Sequence, residues 1–115
     1  MSRTERAKGA RGQREALDVL TERGWQVVEA NAGRATEDLF AVDPAGRPVA
    51  VEVKYQAALR WGAFRAQARA QAKARGAAWL LMCRVPEHPF VFVVEGPDFG
   101  PTVWRGNGAR KESNK

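Results

Sequence analysis

The chain has 115 residues, 44% of them hydrophobic, with a formal net charge of +6, enough for one small apolar core and too little chain for two. No apolar run reaches the length of a membrane span, and the charged opening Met1–Lys8 has no apolar stretch behind it, so neither a spanning helix nor a secretory leader is expected. The single cysteine, Cys83, excludes an internal disulfide and points to a cytoplasmic setting, while the positive charge favours a polyanion: nucleic acid first, an anionic membrane surface second.

Residues 7–23 read as a helix. Leu17 and Leu20 are spaced for one face, and Gly24 stands where a terminator is wanted. Ahead of Glu15 the chain gathers Arg3, Arg6, Lys8, Arg11 and Arg14 against Glu5, a basic segment suited to phosphates. Its first part, residues 1–7, is expected to be a flexible arm. Trp25–Glu29 reads as a strand, Asn31–Thr36 as a loop of small residues, and Glu37–Asp43 as a second strand. Pro44-Ala45-Gly46 is turn chemistry, which makes Glu37–Asp43 and Pro48–Tyr55 a hairpin. A second helix covers Trp61–Arg75, stopped by Gly76, with Trp61, Phe64, Ala68 and Ala72 along one face. Ala78–Val85 is a continuous apolar run, read as a buried strand, and Phe90–Val94 is the last strand. The order is α-β-β-β-α-β-β in one α/β domain over residues 1–115, with its core at about 8–94 and a polar tail, 106–115, expected to fray.

The chemistry concentrates in Val51-Glu52-Val53-Lys54. Residues two apart on a strand share a face, so Glu52 and Lys54 stand side by side. Thirteen residues separate Asp38 from Glu52, a spacing that suits the end of one strand, a turn and the next strand. Neighbouring strands lie about 5 Å apart, which brings both carboxylates within reach of one ion. Two carboxylates suit a hard divalent cation such as Mg²⁺, and a lysine beside them suits a phosphate whose charge grows during hydrolysis. The pattern points to a nuclease. Taken alone, Glu-x-Lys is also the pattern of an ordinary exposed ion pair.

Basic residues supply a reason for phosphate to be near. Arg65, Arg69 and Lys73 repeat at one helical turn, with no acidic residue between Glu52 and Glu87. They form a stripe that faces either a phosphate backbone or plain solvent. Tyr55, Arg60 and Trp61 follow the Glu-x-Lys strand closely. None of these residues makes a base-reading pattern, so binding by structure is expected rather than by sequence.

Asp38 and the Val-Ala-Val-Glu-Val-Lys strand that carries Glu52 and Lys54 resemble the PD-(D/E)XK nuclease superfamily. Three further stretches are similar to the archaeal-type Holliday-junction resolvases: Lys8-Gly9-Ala10-Arg11-Gly12-Gln13-Arg14-Glu15, Leu20 to Val28, and Ala32-Gly33 ahead of Asp38. Gly76 with Trp79-Leu80-Leu81 extends the resemblance, which covers about residues 8–94. It implies a restriction-endonuclease-like mixed central sheet flanked by helices. It also implies a Mg²⁺-dependent homodimer, with Mn²⁺ able to substitute, that cuts four-way DNA junctions at paired phosphodiesters in recombination and repair. Trp79 and Phe92 are interface candidates.

Position by position, the resemblance makes Asp38 and Glu52 metal ligands, with the Val53 backbone carbonyl beside them. Lys54 becomes the catalytic lysine, and Glu15 a supporting carboxylate of the metal site. Glu37 stands where the superfamily's pattern has proline. The 31–36 loop has no serine where members of this branch often carry one, leaving Thr36 or Arg34 in that place. Candidate DNA contacts are Lys8, Arg11 and Arg14 on the first helix, Arg34 and Thr36 in the loop, and Arg60, Arg65, Arg69 and Lys73 on the second helix. The alternatives are another nuclease of the same superfamily, whether restriction-like, repair or phage-type, or a non-catalytic DNA-binding module of the same fold.

Overall fold

The structure, a computed structural model, describes the backbone of residues 3–30, 37–56, 60–84, 91–97 and 102–105, and their side chains except at 3–10, 91 and 105. The elements run α1 (Arg3–Glu22), β1 (Gln26–Ala30), β2 (Leu39–Val42), β3 (Pro48–Tyr55), α2 (Trp61–Arg75), β4 (Ala78–Arg84), β5 (Val91–Glu95) and β6 (Thr102–Arg105). They build one six-stranded sheet in the order β1-β2-β3-β4-β5-β6. β3 and β4 are parallel, joined through α2, and the other pairs are antiparallel. The sheet is therefore mixed, with α1 packed on one face and α2 on the other. The loop 31–36 and the tail 106–115 lie outside the described residues.

Two apolar layers hold it. On α1, Ala16, Val19 and Leu20 are buried, a three-and-four spacing that aims one stripe inward. They meet Val49, Val51 and Val53 of β3, Leu80 and Met82 of β4, and Phe92 and Val94 of β5. Gly12 lets the helix lie directly on β3: a methyl group there would come within 3.1 Å of Tyr55 Cβ. The second layer is smaller, with Phe64 of α2 on Leu81 and Cys83 of β4 and with Trp61 and Trp79 at its margin. α2 ends where expected. Gly76 adopts φ 65° and its N–H returns to the Ala72 and Lys73 carbonyls, the left-handed close that glycine adopts without a Cβ clash.

Three expectations change. α1 begins at Arg3, so the segment expected to be a flexible arm is helical from that residue on. The sheet has a sixth strand, Thr102–Arg105, which the Pro- and Gly-rich approach to it had hidden. It pairs with β5, and its Trp104 ring meets Trp25 edge-on at 6.2 Å under the Arg23 guanidinium. Phe92 is fully buried in the single chain's own core, so it cannot face a partner. Among the described residues, no helix is long and apolar enough to cross a membrane.

The β2–β3 hairpin, which sets the register of the site, is closed by Asp43. Its Oδ1 accepts from the Ala45 and Arg47 N–H groups at 3.0 and 2.9 Å, and its Oδ2 accepts from Arg47 Nε at 3.0 Å. Burial pushes this carboxyl up, but the Arg47 backbone and guanidinium together with the Ala45 N–H outweigh it and hold the pKa below 3.8. A lowered folded value means stability present above pH 3.8 and lost as the pH falls through it. Asp43→Ala is expected to destabilise the fold by about 1–3 kcal/mol at neutral pH, because it strands the turn's donors. Urea unfolding measures this; an unchanged midpoint would show that the turn stands without Asp43.

Candidate active site

The hairpin register fixes the first two groups. Leu39 pairs with Val51, and one step further along the same register Asp38 comes across from Glu52. Asp38 is held from two sides. Val53 N–H donates to its Oδ2 at 2.8 Å, and Gln13 Nε2 of α1 donates to its Oδ1 at 2.8 Å. Burial raises the Asp38 pKa, against the downward pull of Val53 N–H, Lys54 and Gln13.

β3 supplies the rest. Glu52 and Lys54 alternate with Val53, so they share the face covered by α2, beside Leu81 and Cys83 of β4. Lys54 Nζ lies 3.4 Å from Glu52 Oε2 and 5.1 Å from the centre of the Phe64 ring. Contact with a carboxylate and an aromatic face fixes the direction of the ammonium. Glu52 is 3% exposed, and its Oε1 is buried with no hydrogen-bond partner. Burial, then the Asp38 carboxylate, pushes its pKa up to about 7, while Lys54 and the Asp38 backbone N–H pull it down. The neighbouring Cys83 thiol is pushed up to about 12, chiefly by burial. It stays protonated and serves as the small core residue that an apolar run suggests.

The structure therefore brings Asp38, Glu52 and Lys54 together, with the Val53 peptide between them. It does not bring Glu15 to them. Glu15 accepts a hydrogen bond from Arg84 Nη1, whose guanidinium lies over the Tyr55 ring, on the sheet face opposite Glu52. The first-helix side chain that reaches Asp38 is Gln13. The sequence carried a signal for it: Gln13 lies three and seven residues before Ala16 and Leu20, so it extends the buried stripe as a polar residue that needs a partner. Glu37, in the place of the superfamily's proline, is 1% exposed. It faces Arg75 Nε at 3.1 Å, and the Arg75 guanidinium also lies over the Phe40 ring at 4.0 Å. This latches the end of α2 to the start of β2.

The basic stripe is shorter than expected. Arg65 donates through Nε and Nη2 to the Glu95 carboxylate of β5, so its charge is matched between α2 and the sheet. Arg69 and Lys73 are exposed on α2, Arg60 is exposed at its start, and Arg11 and Arg14 are exposed on α1. Arg34, Thr36 and the side chain of Lys8 lie outside the described residues.

The donor set fits a hard divalent cation in part. Asp38 and Glu52 offer carboxylate oxygens, one of them an orphan. Among the described residues no group of three or more acidic, histidine or cysteine side chains gathers at one point. An ion held here would complete its shell with water and substrate oxygens, as Mg²⁺ does.

No protein-family model matches the chain, and no curated protein does. Solved structures do match. The structure of Archaeoglobus fulgidus Hjc, a Holliday junction resolvase from an archaeal hyperthermophile, superposes with a TM-score of 0.56 at 15% identity, over 85% of this chain and 86% of that one. The chain has the restriction-endonuclease-like fold. In that fold the mixed sheet and its two covering helices place Asp38 and the β3 Glu-x-Lys at the end of the β2–β3 hairpin, and the sequence resemblance over residues 8–94 holds at the level of fold.

Proposed function

We propose that this protein is a Mg²⁺-dependent endodeoxyribonuclease that resolves four-way DNA junctions as a homodimer, Mn²⁺ substituting. What carries the reading is one juxtaposition: Asp38 across from Glu52 on adjacent strands, with Lys54 on the same face 3.4 Å from Glu52 and a buried carboxylate oxygen left without a partner. A module that only bound DNA would gain nothing from burying carboxylates where phosphates approach, since each raises the electrostatic cost of binding.

Asp38 and Glu52, with the Val53 carbonyl, would hold the cation, which when bound polarises the phosphate and lowers the pKa of a water. Gln13 and Val53 N–H keep Asp38 in one orientation, so the site is built before substrate arrives. Lys54 places a positive charge where negative charge grows on the phosphate. Arg69, Lys73, Arg60 and the α1 arginines would meet the DNA backbone without reading bases. A four-way junction needs two matched cuts, and a two-fold pair of chains supplies two sites. The resemblance to junction resolvases, with the Hjc fold behind it, favours this substrate over the other DNA targets of the superfamily.

Synthetic four-way junctions, flaps and linear duplex compared in Mg²⁺ test the proposal. Junctions are expected to be cut in paired strands and faster than linear duplex; equal rates would remove the resolvase assignment while leaving a nuclease.

A further inference from the structure

Arg84 lies beside the site and takes no part in the chemistry above. It ends β4, across from Tyr55 in the parallel register, and is only 6% exposed. Its guanidinium lies 4.6 Å from the centre of the Tyr55 ring. Nη1 donates to Glu15, while Nε is buried without a partner. Burial lowers the Arg84 pKa, and the Arg11 guanidinium lowers it further. Arg11 sits one helical turn before Glu15, so the two share a side of α1. Arg84 thus holds the Glu15 carboxylate with a second guanidinium near, and that carboxylate is the more exposed partner: side-chain exposure is 32% for Glu15 against 8% for Arg84.

A buried cation needs an anion, and a carboxylate on an arginine fork occupies the place a phosphate takes. A backbone phosphate offers two non-bridging oxygens and one negative charge, as a carboxylate does, so it can take the place of Glu15 on the guanidiniums. We propose that Arg84 and Arg11 form a phosphate seat that Glu15 fills as a displaceable counter-ion in the free protein. The seat lies on the α1 face, one residue along β3 from Lys54 and on the other side of the sheet from it, so the phosphate it takes is a different one from the phosphate cut. That this phosphate belongs to DNA rests on the nuclease reading; the seat itself rests on the arginine geometry.

The Glu15→Gln variant tests it. In phosphate-free buffer its melting temperature should fall below the parent's, and inorganic phosphate should raise it by more than it raises the parent's. With junction DNA in EDTA, where no cutting occurs, the variant should bind several-fold tighter, with a salt slope steeper by about one. Equal phosphate stabilisation of variant and parent overturns the seat. A phosphate gain without tighter DNA binding overturns its assignment to the DNA backbone. Should the variant fail to fold, Arg11→Ala in the parent should weaken junction binding and reduce the salt slope by about one, and unchanged binding overturns the proposal. A parent protein that cuts no DNA would sink the nuclease reading and leave the phosphate titration standing.

Discussion

Replacing Glu52 by glutamine is expected to make the free protein more stable above neutral pH and unable to cut DNA. Glu52 is 3% exposed, one of its oxygens has no partner, and burial with the Asp38 charge raises its pKa from 4.5 to about 7. A folded value above the unfolded one means that the carboxyl's contribution to stability is full below pH 4.5 and is lost as the pH rises through about 7. A shift of that size corresponds to about 3 kcal/mol. Glutamine stays neutral, so the variant should lose this part of the slope, while Asp38, also raised by burial, keeps its own slope of the same sign. Urea unfolding in metal-free buffer at pH 5 and pH 8 measures both chains. The parent should lose more stability than the variant over that interval; equal losses would mean that Glu52 is not held as a strained, buried acid. Such strain at a functional site, relieved by a substitution that removes function, is the usual relation between stability and activity.

Lys54→Met should lower single-turnover cleavage by about 100-fold or more, the scale seen when one preorganised charge is removed from a transition state. Junction affinity should change far less. The ammonium is set by Glu52 Oε2 at 3.4 Å and by the Phe64 ring, and methionine keeps most of the stem against that ring while deleting the charge. Lys54→Arg should not restore the rate, because a planar fork does not occupy the place of a compact ammonium. A methionine variant cutting within tenfold of the parent would remove Lys54 from the chemistry.

Much of the fold was legible where the chain punctuates itself. The bounds of β3 and α2 follow from Pro48, Tyr55, Trp61 and Gly76, and the structure keeps them. β6 was not legible, because four residues after a Pro- and Gly-rich segment become a strand only when β5 supplies the hydrogen bonds. The Asp38, Glu52 and Lys54 group was readable because strand alternation and hairpin spacing are local rules. The partners of other charged residues were not. Arg65 meets Glu95, Arg84 meets Glu15 and Arg75 meets Glu37 across the fold, at separations where sequence spacing says nothing. Glu15 illustrates the limit: its place on α1, where Gly12 packs against Tyr55, sets it beside Arg84, and the sequence has no local rule for that.

The most direct measurement is single-turnover cleavage of a synthetic four-way junction by the parent and by Asp38→Asn, each with Mg²⁺ and with EDTA, strand positions mapped. The proposed junction-resolving nuclease requires paired cuts from the parent in Mg²⁺, none in EDTA, and a loss of about 100-fold or more in the variant. Equal cutting by Asp38→Asn, or no Mg²⁺-dependent cutting by the parent, would contradict it.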